Sequence, residues 1–134
     1  MRNWTGTILT LSLFASAAQA HHSLSNYDQG RDVRADGVIE EFHFVNPHPF
    51  LMIGVTDPSG VRQTWRLEMD NLYELDEIGI SRTTFQPGDR VTISGDPDRT
   101  KPRELYLRRL DRPSDGLHYE QIGLRPRLTR GGPG

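Results

Sequence analysis

The chain contains no cysteine, so it cannot form a disulfide framework, a thiolate zinc site, an iron–sulfur cluster or a cysteine nucleophile. Any metal would have to be held by nitrogen or oxygen. Its 134 residues suit one small core and exclude a TIM barrel or a two-domain dinucleotide enzyme. Long apolar runs are scarce: the run from Ile8 to Ala18 falls short of the ~20 residues that a membrane span needs, and no later stretch approaches it. Catalytic signatures are missing as well. Gly-x-Ser-x-Gly, His-Glu-x-x-His and a phosphate-cradling glycine loop do not occur. The paired acids Glu40-Glu41 and Asp76-Glu77 lie where neighbours diverge on a strand or face solvent on a short helix. The expectation is therefore that the protein is not an enzyme.

What is present begins with a leader. Arg2 supplies a positive start, Ile8 to Ala18 an apolar stretch, and Ala18-Gln19-Ala20 a small-x-small cleavage site. Residues 1–20 read as a signal peptide cut after Ala20, which predicts export, in a bacterium to the periplasm, with no transmembrane segment after cleavage. The processed chain would start His21-His22-Ser23 and carry 15 basic against 18 acidic residues. A net negative charge argues against nucleic-acid binding, because counterion release from phosphates requires a basic surface.

After a short segment, 21–32, hydrophobic periods of two dominate. A first strand runs from Val33 to about Val45, but Ile39 has one parity and Phe42 and Phe44 the other; a bulge at Glu40 or Glu41 would bring all three to one face. Leu51, Ile53 and Val55 share one side of a second strand. Asp57-Pro58-Ser59-Gly60 has the composition of a type I turn. In the third strand Trp65, Leu67 and Met69 alternate with Thr64, Arg66 and Glu68. Asn71 followed by Glu74 marks a helix start, Leu72, Leu75 and Ile78 its apolar side, and Gly79 its stop. Pro87-Gly88 suits the centre of a type II turn. A fourth strand then carries Val91 and Ile93, and a fifth carries Leu105 and Leu107.

The order β-β-β-α-β-β predicts an all-β fold with one short helix: a five-stranded OB-like barrel over residues 33–112, with an open antiparallel sandwich as the competing arrangement. Residues 113–134 read as a C-terminal extension. In it Leu117, Tyr119, Ile122 and Leu124 are candidates to clip onto the barrel, and the Gly- and Pro-rich end from Arg125 to Gly134 is expected to be mobile.

The histidines are where chemistry can enter. Cleavage after Ala20 would leave His21 offering its α-amine and ring Nδ1 to one ion, and one further imidazole would complete a three-nitrogen histidine brace. Tetragonal nitrogen ligation suits Cu(II), which heads the divalent affinity series. Two geometries compete: His21 with the distant His48 in a fold-dependent site, or His22 binding through its ring, the intervening amide and the terminal amine in a peptide chelate. Against both stands a plain polar start, with His48 only a turn residue whose ring bonds a carbonyl. His43, opposite in parity to its phenylalanine neighbours, is expected to face water, and His118 has no assigned role.

Several pieces together resemble a family. His21-His22-Ser23 with Tyr27-Asp28, Gly37-Val38-Ile39 running through Phe42 and Phe44 into Asn46-Pro47-His48, then Trp65, and then Pro87-Gly88-Asp89 with Val91-Thr92-Ile93-Ser94-Gly95 resemble exported bacterial proteins of domain-of-unknown-function family 6152. The resemblance implies export, a compact β domain, and the pairing of a histidine start with an Asn-Pro-His turn. The family carries a Gly-Pro-Pro-like stretch and a more basic helix where this chain has Glu68-Met69-Asp70-Asn71 and the acidic Glu74, Asp76 and Glu77. A partner contact through that helix is therefore not carried over.

A metal-free binding module is the reading from another class. OB barrels hold ligands across strands two and three. There Arg62, Thr64, Arg66 and Glu68, with Phe50 or Met52 nearby, would face a small ligand, and Arg103, Arg108, Arg109 and Arg112 an envelope protein partner, unless those arginines simply pair with the surplus acids.

Overall fold

The computed structural model describes residues 24–131. The first strand, β1 (Val33–His43), is long enough to pair on both sides: its first half lies antiparallel to β4 (Arg90–Pro97) and its second half to β2 (Phe50–Thr56). The register against β2 shifts between Ile39 and Glu41, so the bulge read from the change of parity is present. Ile39 is buried, and Phe42 and Phe44 pack against the same core. Phe42 meets Phe85 edge-on at 5.1 Å between ring centroids. Glu40, the bulged residue, faces outward.

The Asp57–Gly60 turn forms as its residues predict. Gly60 N–H donates to the Asp57 carbonyl, and Gly60 takes the positive φ of 87° that favours glycine. The Asp57 carboxylate accepts from the Ser59 hydroxyl and from the Ser59 and Val61 amides, and these bonds, that of the Ser59 hydroxyl foremost, hold its pKa below the ordinary carboxylate value. The third strand, β3 (Arg62–Glu68), runs antiparallel to β2. Asn71 then caps the helix α1 (Leu72–Glu77) by accepting from Glu74 N–H at 3.0 Å, and Leu75 enters the core.

Closure comes from β5 (Glu104–Arg112), antiparallel to β4 and parallel to the end of β3, where Leu67 stands opposite Leu105. The circuit β1-β2-β3-β5-β4-β1 is a closed five-stranded barrel with one short helix, as the element order predicts, and the open sandwich is excluded. Its interior is filled by Ile39, Leu51, Ile53, Leu67, Ile93 and Leu107, all buried. Each contributes about 1.5–3 kcal/mol by leaving water. At the second bulge, between Ser94 and Gly95, a side chain on residue 95 would overlap the Tyr106 carbonyl, so only glycine lets β4 and β5 approach there.

The C-terminal part departs from expectation. Beyond the barrel the sheet continues into β6 (Leu117–Glu120) and β7 (Arg127–Thr129). Leu117 and Tyr119 pack into the core as a clip would, but Ile122 and Leu124 do not: they are 48% and 95% exposed in the loop before β7. Residues 125–131 are therefore not simply a mobile end, and residues 132–134 lie outside the described residues. Arg127–Thr129 is laddered to β6 with Tyr119 opposite Leu128, and Leu128 leans on the core. Three alternating residues are too few to stand out in a sequence dominated by glycine, proline and arginine.

Candidate functional site

His48 sits in the Asn46-Pro47-His48-Pro49 connection between β1 and β2, whose Asn46–Pro47 peptide is cis. Backbone bonds fasten this loop to the chain that follows β3: Met69 N–H donates to the Pro49 carbonyl at 2.9 Å and Leu72 N–H to the Pro47 carbonyl at 3.2 Å. The His48 ring is pinned as well, its Nδ1 lying 3.1 Å from the Met69 carbonyl oxygen. A carbonyl only accepts, so Nδ1 carries a proton, and in the neutral ring Nε2 keeps its lone pair. Histidines that bind metals are commonly oriented in this way, donating through one nitrogen to a carbonyl and ligating through the other. The side chain is 20% exposed. The turn role and the ligand role of His48 are therefore compatible.

Next to the ring lies Glu68, at the end of β3. One carboxylate oxygen is 3.9 Å from His48 Nδ1; the other accepts from the Tyr27 hydroxyl at 2.9 Å and lies 3.5 Å from Arg66. Tyr27 belongs to the segment before β1. It is bridged to Asp98, and the next residue, Asp28, donates from its amide to the Pro97 carbonyl. Its ring packs on Tyr106 with centroids 5.6 Å apart. Burial, reinforced by the charge of Glu68, pushes the Tyr27 phenol far above its ordinary pKa, so it stays a hydrogen-bond donor. His48, Glu68 and Tyr27 thus bring the β1–β2 loop, the end of β3 and the N-terminal arm together at one place. His21 and His22, which precede Leu24, lie outside the described residues. Among the described residues no three side chains of the histidine, aspartate and glutamate type converge as a metal site, so His48 can supply one donor of such a site but not the whole set.

Arg62, Thr64, Arg66 and Glu68 lie at alternate positions along β3, on one face of the strand. Each has a partner within the protein. Arg62 and Thr64 both bond to the bulged Glu40, at 2.8 and 3.1 Å. Arg66 reaches Glu68 and covers the Phe50 ring at 4.2 Å. His43 stacks on Phe50 at 4.4 Å and bonds Glu41. Sequence reasoning placed the four residues together but missed Glu40, whose outward aim follows from the bulge, and Tyr27, whose position in the arm carries no periodic signal. His118 has carboxylates at both ring nitrogens: Asp111 at 2.6 Å and Glu120 at 3.7 Å.

Of the arginines on and beside β5, Arg108 pairs with Asp96, and Arg112 with Asp89 and Asp115, as arginines offsetting surplus acids would. Arg103 takes a positive φ of 65° and uses its carbonyl to bond Arg66 N–H. No described helix is long and apolar enough to cross a membrane.

No curated protein matches the chain. A family model, described as a family of unknown function (DUF6152), matches residues 10–105, from before the arm to the start of β5. That span includes Tyr27, His48 and Glu68 and stops short of β6 and β7. Covering well over half of the chain, the match shows that the protein belongs to this family of unknown function.

Proposed function

We propose that the chain is exported, cut after Ala20, and binds one copper ion through the α-amine and ring Nδ1 of His21 together with Nε2 of His48. The single observation that carries this reading is the Tyr27–Glu68–His48 cluster. It fastens the N-terminal arm beside a histidine whose free nitrogen is already selected by the Met69 carbonyl. Tyr27 follows His21 by six residues, a reach of about 20 Å when extended. Its hydroxyl and the His48 ring contact the two oxygens of one carboxylate. Three nitrogens in a T arrangement favour Cu(II) over the other divalent ions, and preorganised placement of the arm lowers the entropy lost on closing the chelate.

The runner-up is the peptide chelate at His22, which needs no part of the barrel. A metal-free module has less support, because the β3 face is engaged by its own ion pairs. Mass spectrometry of the exported protein fixes the first residue, and Cu(II) titration of wild type, His21→Ala, His22→Ala and His48→Ala then separates the readings. The expected result is loss of at least tenfold in affinity for His21→Ala and His48→Ala, with His22→Ala near wild type. Wild-type binding by His48→Ala overturns the fold-dependent site, and loss confined to His22→Ala establishes the peptide chelate. Binding should also weaken as pH falls below the amine pKa of ~7.7–8.0, because the ligand must be deprotonated.

A further inference from the structure

On the side of the barrel formed by β1, β4 and β5, one row of paired residues reads Arg34, Ser94, Arg109. Directly paired residues in adjacent strands present their side chains on the same face, and strands lie about 4.8 Å apart. Two exposed guanidinium groups therefore flank a central serine. Among the described residues neither Arg34 nor Arg109 has an ion pair, whereas Arg108 and Arg112, on the same strand as Arg109, are both engaged. Arg34, Ser94 and Arg109 line a small depression of about 70 Å³ together with Thr92, Asp32 and Asp111. Asp111 is already held by His118, and Thr92 donates to Asp36. Two guanidinium groups therefore share the depression with two carboxylates, that of Asp32 and that of Asp111, and ion-pair with neither.

This depression shares Asp32 and Arg109 with a larger groove of about 600 Å³. The groove contains the Asp96–Arg108 ion pair and the buried Gln121, and it is rimmed by Leu24, Ile122 and Leu124. The last two are the large apolar side chains that the C-terminal loop leaves in water. Gly123 between them takes a positive φ of 89°, which sets the turn of the loop beside the groove. The surface thus joins exposed apolar side chains to two guanidinium groups.

We infer that this groove is a binding site for a small carboxylate with an apolar body, its head on Arg34 and Arg109 and its body against Leu24, Ile122 and Leu124. Guanidinium groups match carboxylate oxygens in geometry and charge. A polyanion such as a nucleotide is disfavoured, because Asp32 and Asp111 border the same small depression. The proposal goes beyond copper binding and uses none of its ligands.

The test uses the full chain as purified and sodium decanoate, kept below its micelle concentration, followed by calorimetry. The expected result is saturable one-to-one binding, weakened at least tenfold in Arg109→Gln and in Arg34→Gln. Decanol should bind at least tenfold more weakly than decanoate, and Leu124→Ser should weaken both. Asp32→Asn, which removes one of the two opposing charges, should tighten decanoate binding severalfold. Because all four substituted positions are exposed, unchanged circular dichroism is expected for each variant. The inference is overturned by absence of saturable binding, by decanol or decyltrimethylammonium binding as tightly as decanoate, or by wild-type affinity in both arginine variants.

Discussion

The two segments that flank the barrel are attached in opposite ways. The N-terminal arm packs over the barrel: Tyr27 is buried against Tyr106 and reaches Glu68 through its hydroxyl, but stands apart from the central apolar cluster. The C-terminal hairpin of β6 and β7 is laddered to β5 and sends Leu117 and Tyr119 into that cluster. Arg112 adds a polar tie, bonding the Thr84 carbonyl, Asp89 and Asp115. A segment held by apolar burial is fixed by the same energy that folds the domain. One held by a single buried ring outside that cluster and by a few polar bonds can loosen at a smaller cost than the hairpin. The hairpin belongs to the architecture, and the arm is where a regulated or ligand-dependent event can occur at little structural cost.

The largest effect expected from this contrast is in the hairpin. Tyr119→Ala should lower stability by about 3–5 kcal/mol, the usual range for deleting a large buried aromatic ring, as read from urea unfolding. A loss below about 1 kcal/mol would show that the hairpin is an ornament and would erase the distinction. In the arm, Tyr27→Phe removes only the hydroxyl that meets Glu68, so stability should fall by about 1 kcal/mol. On the copper reading, affinity should fall severalfold as the arm loosens. Equal affinity in the variant would sever the arm from the proposed site while leaving the fold description untouched.

The smallest effect concerns acid. The Arg112 guanidinium holds the Asp115 carboxyl at about 2, below its ordinary 3.8. A depressed acid stabilises the folded state above its unfolded pKa, and that contribution is lost as pH falls toward the folded value. Asp115→Asn should therefore show a constant deficit in urea midpoint relative to wild type from neutral pH to about 4, shrinking between about 4 and 2. The group is well exposed to solvent, so the deficit should be modest and reduced by salt. Copper binding through a terminal amine would weaken in a far higher window, below about 8. Coincident pH profiles for the two regions would contradict the separation between them.

Much of the barrel was legible because each strand has one buried and one wet face, which prints a period of two into the sequence. The parity change between Ile39 and Phe42 located the bulge, and Asn71 located the helix cap. Hidden were features whose partners lie far along the chain. The proton position on His48 depends on a carbonyl 21 residues away, and the engagement of Arg62 and Thr64 depends on a bulged residue more than 20 positions earlier. Tyr119 was visible as a candidate clip, but β7 was not, since its pairing is decided by the exposed edge of β6 rather than by its own pattern. His21 and His22 were conspicuous in sequence alone, and the structural contribution is the fastening of the arm that follows them.

Closing the barrel through β3 and β5 also governs how this chain meets its own kind. Each of β1 to β6 has strands on both sides. Among the described strands β7 alone has a neighbour on one side only, and it is a run of three residues with an exposed Arg127, entered immediately after Pro126. Such a brief, charged border offers scant template for another polypeptide to add as a strand. This end of the sheet is thus poorly suited to seed fibrillar stacking, and whether β7 stays zipped controls how much of the β6 border becomes available.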